Sequence, residues 1–460
     1  MDGATKGRGY ILFILMLCYV SNYIDRIAFG VLGEPIKHAL KLSDTQIGLL
    51  NGLAFVVFYA VIGIPIARLA DRTSRKNLMA ACLGLWSVMT ALGGIAGSFL
   101  QLMLFRIGVG VGEAGCTPTA HSMIADLYPR EERAFAYGLY AAGVPVGILA
   151  GTLGGGFIAQ ELGWRMGLIA VGLPGILLAL IILMTVREPQ RGRYDPVETR
   201  TSGYSTTAAI RIFVKDRLFV HIALAMSAAA IGLYGISTFS VPFLMRAYDL
   251  DLLPAASIFG LSWGATGIAG SALGGWITGH LGARDARWYA WLPSMSYIVA
   301  AVLLMSAIYQ PGYAGYIPFF VTGSLFFNIA MAPSLAVIQN RVPPTLRASA
   351  SAVVLLMTTV IGLGLGPTLA GIASDAFAAL SYHGDFAVAC PGGRAVAPAD
   401  QIACATASFH GLRYSLTIII AAFFWAAVQY LLAARHARSA PPSLDDDARS
   451  AMTPIAHSAL

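Results

Sequence analysis

The sequence predicts an all-α, polytopic membrane protein with twelve transmembrane helices in two pseudo-symmetric six-helix bundles. Three observations carry that reading. The 460-residue chain is 57% hydrophobic and 12% charged, with 50 glycines, a composition that soluble globular domains do not need. Apolar runs of about 20 residues, enough to cross a hydrocarbon core of ~30 Å at ~1.5 Å per residue, recur along almost the whole chain. A polar stretch at 188–216 separates six such runs from six more.

The spans are expected at approximately 9–33, 45–70, 77–98, 100–125, 133–159, 165–186, 217–246, 253–280, 288–309, 314–340, 347–378 and 411–434. The first is too long for a secretory leader, carries Asp25 and Arg26 and has no small-residue cleavage site after it, so it is expected to stay in the mature protein. The expected organisation is an N-terminal bundle at 1–187, a cytoplasmic linker at 188–216, a C-terminal bundle at 217–437 and a solvated cytoplasmic tail at 438–460.

A net charge of +7 raises the question of nucleic acid, but the basic residues sit in short loops rather than in one patch. With the N-terminus inside, inner segments hold twenty-two Lys and Arg and outer segments six. That bias orients a multi-pass protein of the cell's inner membrane with both termini cytoplasmic, and argues against a nucleic-acid partner.

Cys18, Cys82 and Cys116 fall within spans, where a thiol packs as a small apolar group. Cys390 and Cys404 instead share the longest external loop, roughly 381–409, on the side where disulfides persist, and are disulfide candidates.

An internal repeat supports the two-bundle arrangement. DLYPREERAFA from Asp126 matches NRVPPTLRASA from Asn340, so that Pro129 and Arg133 answer Pro343 and Arg347 at the inner start of the fifth and eleventh spans. GIPIARLADRTSRK pairs more weakly with SALGGWITGHLGAR, Asp71 becoming Gly279. Two related halves suit an alternating-access carrier, whose bundles rock about a central site.

Residues 67–76, ARLADRTSRK, follow a glycine-containing helix and form a two-helix cytoplasmic turn. The pattern resembles the D-R-x-x-R-K signature of the major facilitator superfamily, with Ala67 where a glycine is usual. Asp71, Arg72, Arg75 and Lys76 are candidates for a cytoplasmic gate that opens as the bundles move, with Asp126 and Arg133 in a similar cluster. The plainer reading is a basic turn that only sets orientation.

Gly110, Gly112 and Gly115 spell G-x-G-x-x-G, but no strand and turn precede them and they lie inside a span, so close helix packing explains them better than a dinucleotide. GVPVGILAG at 143–151 reads the same way, as a site that kinks and thins the fifth span.

Asp25, Arg26, Arg106 and Glu113 are the ionisable residues inside the membrane, all in the first half. Such groups are expensive unless paired or facing water, which makes them candidates for substrate binding and proton coupling, a structural ion pair being the alternative. Arg106 and Glu113 are seven apart and share a helical face, whereas the neighbours Asp25 and Arg26 diverge by ~100°. Asp25 is therefore expected to balance Arg106, Glu113 to exchange a proton, and Arg26 to turn towards the cavity or another helix.

NYIDR at 22–26, Arg106 with GVGEA at 110–114, IADL at 124–127, VPVG at 144–147 and VREPQRG at 186–192 resemble the spinster family of that superfamily. The resemblance covers mainly the first 190 residues or so; the second half agrees in span count and in the repeated P-x-x-x-R-A. It implies a twelve-helix secondary carrier, whose animal relatives move sphingosine-1-phosphate or lysophospholipids, with Asp25, Arg106 and Glu113 as functional residues.

A charged first half facing an apolar second half suits an amphipathic solute with a polar head and a hydrocarbon tail, which the resemblance narrows to a small solute of lysophospholipid or sphingosine-1-phosphate type. It also suits the alternative, a proton-coupled exporter of drugs or small organic anions. No enzyme is expected: His121 and His221 are isolated, and no H-E-x-x-H occurs. No cofactor or metal is called for. The expected partners are the solute, protons and the lipid bilayer, and the protein is expected to act as a monomer.

Overall fold

Glycine, proline and capping residues interrupt an otherwise nearly continuous apolar helix, and each interruption has a local cause. A computed structural model describes residues 7–194, 206–342 and 346–437. Within them, the side chains of Ile64, Ala67, Asp71, Arg130, Glu131, Ala134, 206–210, Ala332, Leu335, Gln339, Asn340, Arg347 and Ala348 lie outside the description.

The first span is α1 (Arg8–Val31), followed by a short helix α2 (Gly33–Leu40) that ends at Lys41 in the left-handed region, φ 55°. Ser43 and Gln46 form a capping box that starts α3 (Asp44–Asn51), and α4 (Leu53–Arg72) continues the second span beyond Gly52. Ser74 and Ser98 cap α5 (Arg75–Gly93) and α6 (Phe99–Glu113), the third span and the start of the fourth, which α7 (Cys116–Leu127) completes.

The fifth span is built from α8 (Arg130–Ala141), α9 (Gly143–Leu149), a π-helical turn at Ala150–Gly154 and the start of α10 (Gly155–Thr185). Gly163, at φ 84° and ψ 160°, breaks α10, and its remainder is the sixth span.

In the second half, α11 (Thr206–Lys215) leads into the seventh span α12 (Arg217–Tyr248), capped by Asp216. The next spans are α13 (Leu252–Gly282), α14 (Trp288–Ile308), and α15 (Tyr313–Ile329) with α16 (Met331–Arg341). The eleventh joins α17 (Arg347–Met357), a π-helical turn at Thr358–Leu365 and α18 (Gly366–Ser381). After the short α19 (Phe386–Ala389), α20 (Gln401–His436) is the twelfth.

Among the described residues, nine helices are long and apolar enough to cross a membrane. Gly163 divides one of them in two, and α5 and the α15–α16 pair complete the expected twelve. The bounds differ in places. α20 begins at Gln401 rather than near 411, and α2 and α11 occupy stretches expected as loop and linker. Both are short amphipathic segments without the length of a span, which is why hydropathy alone passes over them.

The pseudo-symmetry shows in how each half packs. A Cβ on Gly143, Gly147 or Gly151 would lie 3.0, 2.8 and 3.0 Å from the carbonyl oxygens of Met16, Val20 and Ile24 on α1. In the second half a Cβ on Gly366 would lie 2.6 Å from the Ile231 carbonyl on α12. Glycine thus lets the fifth and eleventh spans press on the first span of their own half, and both carry a π-helical turn there.

The same physics explains G-x-G-x-x-G. A Cβ at Gly112 would stand 2.8 Å from Cys82 O and Trp86 Cβ on α5, and one at Gly110 would stand 2.5 Å from Phe55 O on α4.

One apolar cluster, including Cys18, Phe55, Leu83, Trp86 and Met123, belongs mainly to the first half. A larger one fills the second half but also takes in Phe29, Leu32, Ile36, Ile47 and Leu50 from the first. The halves are therefore fused at the end where α1 finishes and α3 begins. Because Cys390 and Cys404 lie at this same end, it is called the disulfide end below, and the opposite one the basic end.

Candidate translocation site

Four charges meet inside the first half as two rungs between α1 and α6. Asp25 Oδ1 accepts from Arg106 Nη1 at 3.2 Å, and Glu113 Oε2 accepts from Arg26 Nε at 2.7 Å. The spacing explains the register: neighbours on α1 diverge around the helix and reach groups two turns apart on α6.

Both rungs are buried. The Glu113 side chain is wholly inaccessible, and Arg26 is the most open of the four at 18%. Thr90 of α5 donates its hydroxyl to Asp25 Oδ2, and Arg106 Nε donates to the Leu50 carbonyl at 3.3 Å. These contacts offset the desolvation of the ion pair.

Aromatic faces supply the rest of the surroundings. The Arg106 guanidinium lies 4.5 Å from the Phe29 ring centre, and Arg26 lies 5.4 Å from that of Tyr59. The Phe55 ring centre lies within 5.3 Å of both guanidinium groups, so one π system serves two cations. The pattern leaves one orphan: Glu113 Oε1 is buried and has no hydrogen-bond partner. A carboxylate in that position presents an unsatisfied lone pair to a proton or a small donor.

At the basic end Arg75 is the centre of a second network. It pairs with Asp126, donates to Ser122 Oγ at 3.0 Å, to Glu188 Oε1 at 2.8 Å and to the Pro189 carbonyl at 2.8 Å. Asp126 Oδ1 accepts from the Gly192 N–H at 3.0 Å, and Glu188 accepts from the Lys76 N–H at 2.9 Å. Burial pushes the Glu188 carboxyl up, but the Lys76 N–H and the bonds from Arg75 and Ser74 outweigh it and hold it below its ordinary value.

These partners lie in the first half and in the first residues of the linker that follows it, so this network ties the α4–α5 turn to the end of α7 and to the stretch 188–192 after α10. Arg133 donates to the Tyr128 carbonyl at 3.1 Å, Arg72 is exposed, and the Asp71 side chain lies outside the described residues. Glu188, Ser122 and Gly192 were not singled out from sequence, although Glu188 and Gly192 lie in the VREPQRG stretch.

The disulfide end carries a third network that crosses between the halves. Arg246, near the end of α12, donates through Nε and Nη2 to Glu34 at 2.9 and 2.6 Å. Through Nη1 and Nη2 it also reaches Asp44 at 2.8 and 2.7 Å. Asp44 accepts further from Lys37 at 2.7 Å and from Ser374 of α18 at 2.7 Å. Asp375 accepts from the N–H groups of Asp44 and Thr45 at the start of α3, at 3.0 and 2.8 Å.

Burial pushes the Glu34 carboxyl up, and Arg246, helped by His38 and Lys37, overrides it and holds it well below its ordinary range. The sequence signal for this network was faint: charges gathered in one short loop, and an unremarked Arg246 far away in sequence. Cys390 and Cys404 are joined in a disulfide with Cα atoms 5.6 Å apart. Among the described residues, no group of three or more His, Cys, Asp or Glu can hold a metal ion.

The family model described as Major Facilitator Superfamily matches residues 15–367. A bacterial homolog of the human lysosomal transporter Spinster, solved inward-facing and unoccupied, superposes with a TM-score of 0.84 at 33% identity, covering 96% of this chain and 99% of that one. The chain belongs to the spinster family of the major facilitator superfamily.

As a spinster-family protein it is a multi-pass membrane transporter of the secondary type, not an enzyme. Human protein spinster homolog 1 is 28% identical over 401 residues, 82% of this chain and 75% of that protein. An MFS-type efflux pump of Mycolicibacterium smegmatis is 36% identical over 363 residues, 79% of this chain and 83% of that one. Within the motifs that suggested the family, Asp25, Arg26, Arg106 and Glu113 are the charged residues that the fold gathers between α1 and α6.

Proposed function

We propose that this spinster-family transporter is a proton-coupled, alternating-access carrier of a small amphipathic solute of lysophospholipid or sphingosine-1-phosphate type. The observation that carries the coupling is the buried two-rung cluster, in which Glu113 keeps one oxygen without a partner. A proton arriving there competes with Arg26 and Arg106 for the carboxylates, an anionic head competes with the carboxylates for the two arginines, and either arrival redistributes the pairs. In this reading the bundles at 1–187 and 217–437 rock about that site. The linker at 188–216 and both termini face the cytoplasm, the membrane is the inner membrane, and one chain is the working unit.

The basic-end residues Asp71, Arg72, Arg75, Lys76, Asp126 and Arg133 then serve as the cytoplasmic gate region. Arg75 and Asp126 stiffen the turn within the first half, so that it moves as a unit. Export of drugs or small organic anions is the second reading, favoured by the 36% identity to an efflux pump.

Counterflow of labelled lysolipids, with unlabelled organic anions and cationic dyes as competitors, separates these solutes in proteoliposomes. Repeated at graded pH with Glu113→Gln and Asp25→Asn, it tests coupling: an unchanged pH dependence in both variants sinks the proton reading.

A further inference from the structure

The loop between the eleventh and twelfth spans reaches across to the other half. Its disulfide closes a ring over 390–404, and inside that ring Gly392 and Gly393 take left-handed φ of 67° and 78°. A Cβ on Gly392 would lie 3.0 Å from the Lys37 carbonyl oxygen and 3.0 Å from Lys41 Cα, and one on Gly393 would lie 3.2 Å from Lys37 Nζ. Two consecutive glycines thus do two things that other residues resist: they adopt the backbone turn, and they let the loop press on α2.

A polar contact fixes the docking. His38 Nδ1 lies 3.0 Å from the Gly392 carbonyl oxygen, while its Nε2 lies 3.1 Å from Glu34 Oε1. Both ring nitrogens therefore face acceptors, and His38 links the loop to the carboxylate that binds Arg246. Lys37, beside Gly393, is in turn the residue that holds Asp44. A cavity of about 950 Å³ opens beside this contact, bordered by Glu34, His38 and Arg246 on one side and by Arg394 and Val396 of the loop on another.

We propose that the disulfide-closed loop is a strap of the second half that clasps α2 of the first, and that this clasp keeps Glu34 and, through Lys37, Asp44 placed for Arg246. The strap thereby weights the carrier towards the state closed at the disulfide end. The inference rests on the alternating-access reading, but its first readout does not depend on the solute or on protons.

The test is hydrogen exchange on the full chain in lipid nanodiscs, before and after treatment with a membrane-impermeant phosphine. The phosphine breaks the S–S bond to two thiols and is itself oxidised to the phosphine oxide with oxygen from water. The expected result is that amides of 33–44, across the interface, exchange roughly three- to tenfold faster after reduction, and recover on reoxidation.

Gly392→Val, which keeps both cysteines, is expected to give the same rise in 33–44 without reductant. Acceleration confined to 382–400, with 33–44 unchanged in both experiments, overturns the proposal. Because reduction acts on protein that has already folded, a variant that fails to fold leaves the test standing. If 33–44 responds while counterflow shows no exchange of any solute, the strap survives and the carrier reading fails.

Discussion

Arg26 and Glu113 are joined by a 2.7 Å bond that links α1 to α6, although 87 positions separate them in sequence. The pair is buried on the carboxylate side and backed by aromatic rings on the other, so each charge depends on its partner. That dependence has consequences that can be measured.

Removing one member alone strands the other. Glu113→Leu is expected to lower stability by about 3–5 kcal/mol, the usual consequence of leaving a buried charge unpaired. The double variant Arg26→Met with Glu113→Leu recovers most of that loss while abolishing exchange. Thermal unfolding of all four proteins of the cycle checks this, and strictly additive losses contradict it.

Asp25 is supported by two groups of different kinds, Arg106 and the Thr90 hydroxyl. Asp25→Asn leaves Arg106 without its anion and is expected to reduce counterflow at least as much as Glu113→Gln does. Thr90→Ala removes a single bond to a charged group and is expected to cost about 1.5–3 kcal/mol, with activity reduced but present. Initial rates beside thermal unfolding separate the two effects.

Helix packing in the fourth span leaves no room for a side chain at Gly112. A Cβ at Gly112 meets the Cys82 carbonyl and the Trp86 backbone and side chain, all at 2.8 Å, whereas one at Gly138 on α8 meets nothing within 4 Å. Gly112→Val is expected to prevent correct folding or to cost more than about 3 kcal/mol. Gly138→Ala is expected to be neutral or to add up to about 1 kcal/mol through helix propensity. Yield of monodisperse protein and unfolding temperature decide.

The contact of Arg246 with Glu34 sets a pH window for closure at the disulfide end. With that end closed, Glu34 is held well below its ordinary range, and separation from Arg246 lets it return towards that range. A carboxyl lowered in the closed state stabilises it fully above the ordinary value, and that contribution fades as pH falls through the lowered one. Protection of amides in 33–44 should therefore be flat, as far as Glu34 is concerned, between about pH 6 and 8, and fall under strong acid. In Glu34→Gln the overall protection should be lower and this acid-dependent part absent.

The sequence by itself determined the class and picked out the charges of the candidate site. Twelve spans follow from the length and polarity of the apolar runs, which the thickness of a bilayer imposes on any helix that crosses it. The four interior charges stand out because lipid makes them costly, and helical periodicity already separates Asp25 from Arg26 and aligns Arg106 with Glu113.

Tertiary structure alone decided the partners. Periodicity says which way Arg26 points but not that α6 brings Glu113 there, nor that Phe55 lies close to two guanidinium groups. The disulfide-end network was hidden for the same reason. Glu34, Asp44, Arg246 and Asp375 look like ordinary loop and helix-end charges, and they become one network only when α12 and α18 are packed beside α2 and α3. Local sequence fixes the direction of a side chain; the shape of the packed helices fixes what it meets.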